Sequence, residues 1–357
     1  MFNPLEFLGG GSYLGVDIGT TAIKIVEMSG KGKPQIVNYG ILETHGYLNR
    51  QNAAIQTGNL KAVERETAAL LRRLVEAANF KAQTAIASLP AFLAFVTVLE
   101  IPQMPEPDVE KTLQFQIPQY IPMAAEEAVI DWISIGETTD ETGRTKKQIL
   151  LIAVPKDAIE RYKKIFRAAG LRLGVLEVES LSLIRALRSQ IDRPTIIADI
   201  GSRATNICVA SQNFLLKSVQ TDFAGASLTQ GIASGLGISM KRAEDLKRER
   251  GVRFDAQNEE LSTLTSPFLG VILNEIKKAE EAFYKSSGSK IEKIIIAGGT
   301  ARTIGLIDYF AQHFEVPVVL GDPFMGIAYD SKIEPLVKEL GSTLSVAVGL
   351  GIRELTK

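Results

Sequence analysis

LGVDIGTTAIKIVEMS, Leu14 to Ser29, returns in altered form as IIADIGSRATNICVAS, Ile196 to Ser211. Laid side by side without a gap, the two stretches match Asp17 with Asp199, Ile18 with Ile200 and Gly19 with Gly201. A hydroxyl follows each glycine, Thr20 and Thr21 in the first copy and Ser202 in the second. Each copy reads as an apolar strand, a tight turn that draws on the glycine's freedom in φ, and a second strand of alternating apolar residues, hence a β-hairpin. The carboxylate stands at the end of its first strand, with backbone N–H groups and a hydroxyl behind it. Such amides cradle phosphate oxygens, and a carboxylate beside them can hold hydrated magnesium. A single Asp-x-Gly turn would be read as structural. Two copies about half a chain apart imply a duplicated fold whose halves face one another, with a carboxylate on each side of one cleft.

Composition bounds this reading. A chain of 357 residues exceeds one typical core, so two domains are expected. With 40 basic against 41 acidic residues, neither a nucleic-acid surface nor an acidic tail is indicated. The single cysteine, Cys208, excludes an internal disulfide and sits in an apolar strand as a small core residue. With His45 and His313 as the only imidazoles, a histidine-centred metal site or a Ser-His-Asp triad is not expected. The opening MFNPLEFLGGGS lacks the basic region of a signal peptide, and LPAFLAFVTVL from Leu89 is about half the length of a spanning helix. A cytoplasmic protein is expected, with MFNPLEFL either a frayed tail or a touch-point for a membrane or partner.

Between the hairpins the pattern is mixed α/β. Helical spacing runs from about Asn59 to Ala78, and a strand follows over Gln83 to Leu89. IPQMPEPDVEKTLQFQIPQYIPM then carries five prolines, leaving room for one short helix near Asp108 to Gln116. Strands are expected at Ala128 to Ile135 and Gln148 to Val154, and a helix from Lys156 to Ala169 that stops at Gly170. Roughly Phe92 to Val154 therefore reads as a small inserted subdomain of strand, helix, strand, strand. Glu179 opens the helix that leads to the second hairpin; it either complements the helix dipole or orients a water. Beyond that hairpin, a turn at Gly225 precedes a helix, and SMKRAEDLKRE is a second helix with Ser239 as cap. There Glu244 and Lys247, three apart, share a face of what would otherwise be a solvated surface helix. From Ile291 a buried strand, the pair Gly298 and Gly299 and a helix follow. No G-x-G-x-x-G and no phosphate-loop lysine motif is present, which excludes Rossmann and Walker sites.

This order of parts, ending in the small-residue helix LSVAVGLGI, resembles the actin-like ATPase superfamily. Within it, QIPQYIPMAAEEAVIDW resembles the tyrosine-isoleucine-proline stretch of the PilM family of type IV pilus assembly, and the likeness covers nearly the whole chain. The resemblance implies an α/β, actin-like (ribonuclease H-like, duplicated) two-domain fold with an inserted subdomain 1C of the FtsA/PilM type. It divides the chain into a domain I core (1–91, 155–192 and 335–357), the insert (92–154), a domain II core (193–225 and 290–334) and a subdomain 2B (226–289). It also implies ATP and Mg2+ as ligands, with Asp17 and Asp199 flanking the metal, Gly19, Thr20, Thr21, Gly201 and Ser202 in the phosphate turns, and Lys24 reaching the phosphates. Glu244 and Lys247 would take the adenosine side, and Gly298 and Gly299 would pack beneath the adenine. Where relatives carry a glycine pair the chain has Ala224 and Gly225, leaving Gly225 for close ribose or phosphate approach. Glu179 is the candidate catalytic residue for an ATPase activity that is slow at most. Such proteins dock the N-terminal cytoplasmic peptide of the membrane protein PilN at the inner membrane, beside other pilus assembly components, and self-association stays open. Phe115, Tyr120 and Ile121 are candidates for the peptide groove or for core.

Three alternatives accompany this expectation. An FtsA-like division protein or a type II secretion relative shares the fold, but the chain stops at Lys357 soon after LGIREL, short of an FtsA-type membrane anchor. A small-molecule kinase of the superfamily needs a further carboxylate base, and no motif announces one. A scaffold with a dead cleft conflicts with Asp17, Lys24 and Asp199.

Overall fold

Two five-stranded sheets repeat one topology in this computed structural model, which describes residues 11–30, 32–44, 60–139, 143–253 and 259–356. In the first, β1 (Tyr13–Ile18), β2 (Ala22–Ser29) and β3 (Gln35–Glu43) run antiparallel, and β4 (Thr84–Leu89) and β8 (Arg172–Val178) add in parallel, giving the order β3-β2-β1-β4-β8. The second repeats the pattern with β9 (Thr195–Ile200), β10 (Thr205–Ser211), β11 (Phe214–Thr221), β12 (Lys293–Ala297) and β13 (Val318–Leu320), in the order β11-β10-β9-β12-β13. The duplicated sixteen residues are thus the first two strands of each sheet, and each is extended by a third antiparallel strand. His45 and the segment MFNPLEFL lie outside the described residues.

The parallel pairs β1–β4 and β4–β8 require crossovers. The helix Leu60–Ala78 supplies the connection into β4, and the helix Lys156–Ala168 leads into β8. The latter buries Ala158, Ile159, Tyr162, Ile165 and Phe166, a stripe at spacings of one, three and four residues that turns one face to the sheet. The helices Glu179–Ala186 and Ser345–Gly351 cross behind β1, where nearly every residue is small or buried. Gly15 and Gly349 permit this: a Cβ on Gly15 would strike the Ala347 carbonyl, and one on Gly349 the Ser182 carbonyl.

Residues 95–155 form a separate three-stranded antiparallel sheet, β5 (Phe95–Pro102), β6 (Ala128–Thr139) and β7 (Thr145–Pro155), in the order β5-β7-β6. The helix Glu106–Tyr120 covers it, and Leu99, Ile101, Val109, Leu113, Ile117, Ile121, Ile149 and Leu151 make a core of their own. This helix is longer than the expected Asp108–Gln116. Its prolines are compatible with the extra turns, since Pro105 stands at the N-cap, Pro107 lies in the first turn and Pro118 in the last. Strands β6 and β7 also run past the expected ends into polar sequence, where Glu137 faces Lys147 and Thr138 faces Lys146 across the ladder. On the second sheet pack the helices Gly225–Leu236, Glu259–Ser287 and Leu306–Ala311, while Met240–Arg250 packs against Gly225–Leu236 in a small cluster of its own. After the glycine pair the chain does not enter a helix at once; a 3-10 turn Gly299–Arg302 intervenes, and Gly305, at φ +83°, starts the helix.

Candidate functional site

The two turns close in the same way. Gly19 N–H donates to the Ala22 carbonyl and Gly201 N–H to the Ala204 carbonyl, each at 3.0 Å. Neither glycine has a positive φ, contrary to the expectation that conformational freedom makes the turn. Space is tight instead: a Cβ on Gly201 would lie 2.9 Å from the Ala204 carbonyl oxygen, which would have to shift, and one on Gly19 3.1 Å from that of Ala22, a contact a few tenths of an ångström too close. The hydroxyl-bearing Thr20, Thr21 and Ser202 are half-buried in these turns.

Opposite each aspartate stands the residue paired with it across the hairpin, Lys24 for Asp17 and Asn206 for Asp199. Lys24 Nζ meets Asp17 Oδ2 at 3.1 Å, and Ser88 Oγ on β4 donates to Asp17 Oδ1 at 3.1 Å. Burial works against the charge of Lys24, yet the carboxylates of Asp17, Asp199 and Glu179 together hold its pKa above the ordinary lysine value. One ammonium therefore faces three carboxylates contributed by both halves. Burial pushes Asp199 up to about 6, with Lys24 opposing and Asp17 reinforcing the rise. Burial likewise pushes Glu179 up to about 8, and Asp199 and Asp17 add to it. Glu179 Oε1 accepts from the Ala91 amide at 3.2 Å and from Asn206 Nδ2. The other amide atom, Asn206 Oδ1, is buried without a partner among the described residues.

A chain of hydrogen bonds leads from Asp199 to the second helix layer. Gly225 N–H donates to the Gly201 carbonyl at 3.1 Å, Ala226 N–H to that of Ser202 at 2.7 Å, and Thr300 Oγ1 to that of Gly201 at 2.8 Å. The Gly225 carbonyl in turn accepts from Lys247 Nζ at 3.0 Å. Lys247 also reaches Thr229 Oγ1 at 2.8 Å and Glu244 Oε2 at 2.7 Å. Lys247 is only 5% exposed, so this is not the solvated face that mixed charges alone would suggest. Burial lowers its pKa against the pull of Glu244, whereas Glu244, held by Lys247, Thr229 and Arg248, falls below the usual glutamate value despite its own burial. Ala224 occupies extended backbone at φ −161°, which any residue adopts, so the departure from a glycine pair introduces no strain.

Gly298 and Gly299 behave differently. Gly298, at φ +88°, lies so close to Asp199 that a Cβ would collide with Oδ1, while Gly299 is exposed and open on the Cβ side. The structure thus brings Asp17, Lys24, Glu179, Asp199, Gly201, Ser202, Gly225, Glu244, Lys247 and Gly298 into one connected region. Sequence reasoning missed Ser88, the Ala91 amide, Thr229 and Thr300. None of them has a motif, because each arrives by long-range pairing of elements.

A second feature lies beside this region. A narrow, largely apolar cleft lies between the inserted sheet and the first domain, lined by Leu89, Val129, Ile152, Val154, Val178 and Leu181, with Asp131 and Glu177 among its walls. The groove candidates are elsewhere: Ile121 is buried in the insert's own core, Tyr120 is exposed away from the cleft lining, and the side chain of Phe115 lies outside the described residues. Among the described residues no three His, Cys, Asp or Glu side chains form a metal cage, and no helix is long and apolar enough to cross a membrane.

Comparison with known proteins places this geometry. The family model described as type IV pilus assembly protein PilM matches residues 15–355. The cell division protein FtsA of Enterococcus faecalis (strain ATCC 700802 / V583) is 25% identical, over 88% of this chain and 79% of that one. Among solved structures, a PilM-PilN type IV pilus biogenesis complex superposes with a TM-score of 0.81 at 21% identity, covering 98% of this chain and all (100%) of that one. MreB 5 of Spiroplasma citri bound to AMPPNP superposes at 0.53 with 13% identity over 96% of both chains. The fold is therefore actin-like, as the sequence resemblance implies.

Proposed function

This chain belongs to the PilM family of type IV pilus assembly proteins, and on that premise we propose that it is a nucleotide-binding scaffold that docks a short peptide of a PilN-type membrane protein. The observation that carries the nucleotide half is the single ammonium of Lys24 facing Asp17, Asp199 and Glu179 from two halves with equal turns. The residues fit Mg2+–ATP. Magnesium is commonly held through one or two carboxylates plus phosphates and water, and Asp17 and Asp199 supply two. The metal would supply charge neutralisation for the phosphates. Asp17 and Asp199 would hold it through its waters, the amides and hydroxyls of the two turns would line the phosphates, and Lys24 would neutralise them. Glu179, raised to about 8, is mostly protonated at neutral pH, so only its smaller ionised fraction would accept a proton from a positioned water, consistent with slow hydrolysis. Glu244 and Lys247, already locked together at the start of the Gly225–Leu236 helix, would present a fixed acceptor and donor to the adenosine side.

The peptide half rests on the likeness to the PilM-PilN complex and on the apolar cleft beside the insert. An apolar side chain of an extended segment would enter it. The chain would then reach the inner membrane through its partner. The test is Val129→Arg, which fills the cleft from β6: it should leave ATP affinity by calorimetry unchanged and abolish pull-down by the cytoplasmic peptide of the co-encoded PilN-type protein. Retained pull-down would move the docking surface away from the cleft, and absence of ATP binding in the unmodified chain would overturn the nucleotide half alone.

A further inference from the structure

One carboxylate of the candidate nucleotide region, Glu179, stands on the segment next to the cleft walls. Glu179 Oε1 accepts both from Ala91 N–H and from Asn206 Nδ2. Ala91 opens the 3-10 turn Ala91–Leu93, through which the chain leaves β4 for β5 of the inserted sheet. Asn206 stands on β10 directly across from Asp199. Three bodies therefore meet at one oxygen: the first domain through the Glu179 helix, the root of the insert, and the second hairpin. The cleft walls include Leu89, two residues before Ala91, and Val178 and Leu181, one before and two after Glu179. The Ala91–Glu179 contact and those walls are thus carried on the same short backbone segments.

Resting on the nucleotide reading above, we propose that the Ala91–Glu179 hydrogen bond couples the two sites, so that nucleotide held between the turns fixes the root of the insert and tightens the groove beside it. Nucleotide gripped by both turns holds β10, and with it Asn206, in a set position against the first domain. A donor fixed on one side settles the Glu179 rotamer. The remaining Ala91 bond then forms with less loss of side-chain freedom, and the groove is preorganised for a peptide. Linkage makes the effect reciprocal: a peptide in the cleft strengthens nucleotide binding by the same factor.

The experiment is amide hydrogen exchange of the full chain with and without Mg2+–AMPPNP. Exchange of amides in residues 93–102 and along β6 should slow by about fivefold or more when the analogue binds. Ala91→Pro removes the one N–H at issue. Pro90 already sits at φ −55°, ψ 143°, the extended setting a residue before proline requires, and the start of a turn tolerates a missing donor. This variant should bind the analogue yet lose the slowing. Should it fail to fold, Asn206→Leu cuts the other arm and, read at an analogue concentration that saturates it despite weaker binding, should likewise lose the slowing. Analogue bound with unchanged exchange in the insert of the unmodified chain overturns the coupling while leaving the nucleotide reading intact. Slowing that persists in a folded Ala91→Pro or Asn206→Leu overturns the assigned link. Absence of analogue binding by calorimetry overturns the nucleotide reading, and this proposal with it.

Discussion

The two hairpins have one backbone and two chemistries. Both turns close through a 3.0 Å bond from the glycine amide to an alanine carbonyl, and both place an aspartate at the end of the first strand. Asp17 is 6% exposed and held by Lys24 and Ser88. Asp199, among the described residues, receives no side-chain donor; it lies against Gly298 and binds its proton more tightly than an ordinary aspartate. Burial is the cause, and Lys24, which bonds Asp17 directly, only partly offsets it for Asp199, whose own partner across the ladder is the neutral amide of Asn206. The two copies thus share one turn and differ at the paired position: Lys24 bonds Asp17 in the first, and Asn206 holds Glu179 in the second.

The sharpest way to break this comparison is to remove the cation. Lys24→Met leaves Asp17, Asp199 and Glu179 facing one another, and Mg2+–ATP affinity by calorimetry should fall by roughly 100-fold, corresponding to about 3 kcal/mol. Asn206→Ala should lower it by less than about tenfold. Equal losses would mean that the two arms are equivalent and that the asymmetry is only apparent.

A smaller effect is expected from pH. Asp199 and Glu179 are raised from 3.8 and 4.5 to about 6 and about 8, so the folded chain binds these protons more tightly than the unfolded one. The stability they contribute is complete below about pH 4 and is lost as pH rises through about 6 and then about 8. The Tm of the ligand-free protein should therefore decline across that range. Asp199→Asn should flatten the lower part of the decline and Glu179→Gln the upper part. A parallel slope in all three proteins would show that neither carboxyl is perturbed.

The smallest effect sharpens the likeness of the turns themselves. Gly201→Ala forces a Cβ to 2.9 Å from a backbone oxygen, against 3.1 Å for Gly19→Ala. Urea unfolding should show Gly201→Ala less stable than Gly19→Ala by about 1 kcal/mol or less. The reverse order would mean that the turns relax differently.

Much of the fold was legible because its signals are local. Each hairpin is written within sixteen residues, the stripe of the Lys156–Ala168 helix recurs at helical spacing, and Gly170, at φ +80°, stops it as expected. The third strands β3 and β11 escaped notice because they are half-exposed and lack an apolar run. The insert's helix was underestimated because proline was counted as a breaker without regard to position, although Pro107 and Pro118 lie in its first and last turns. Glu244 and Lys247 could be paired by spacing. Their burial could not, because it depends on the Gly225–Leu236 helix packing against theirs.

By itself, the sequence determined that two aspartate-bearing turns exist, where their strands lie, and that Lys24 and Asn206 stand in equivalent places. Those properties depend on neighbours a few residues apart, and periodicity records them. Only the tertiary structure decided that Ser88 meets Asp17 across 71 residues and that Ala91 meets Glu179 across 88. It alone opened the cleft between the insert and the first domain and set Gly298 against Asp199. Such meetings follow from which strands pair in parallel and which helices cross behind them. No spacing along the chain encodes that choice, since it is made by the packing of whole layers.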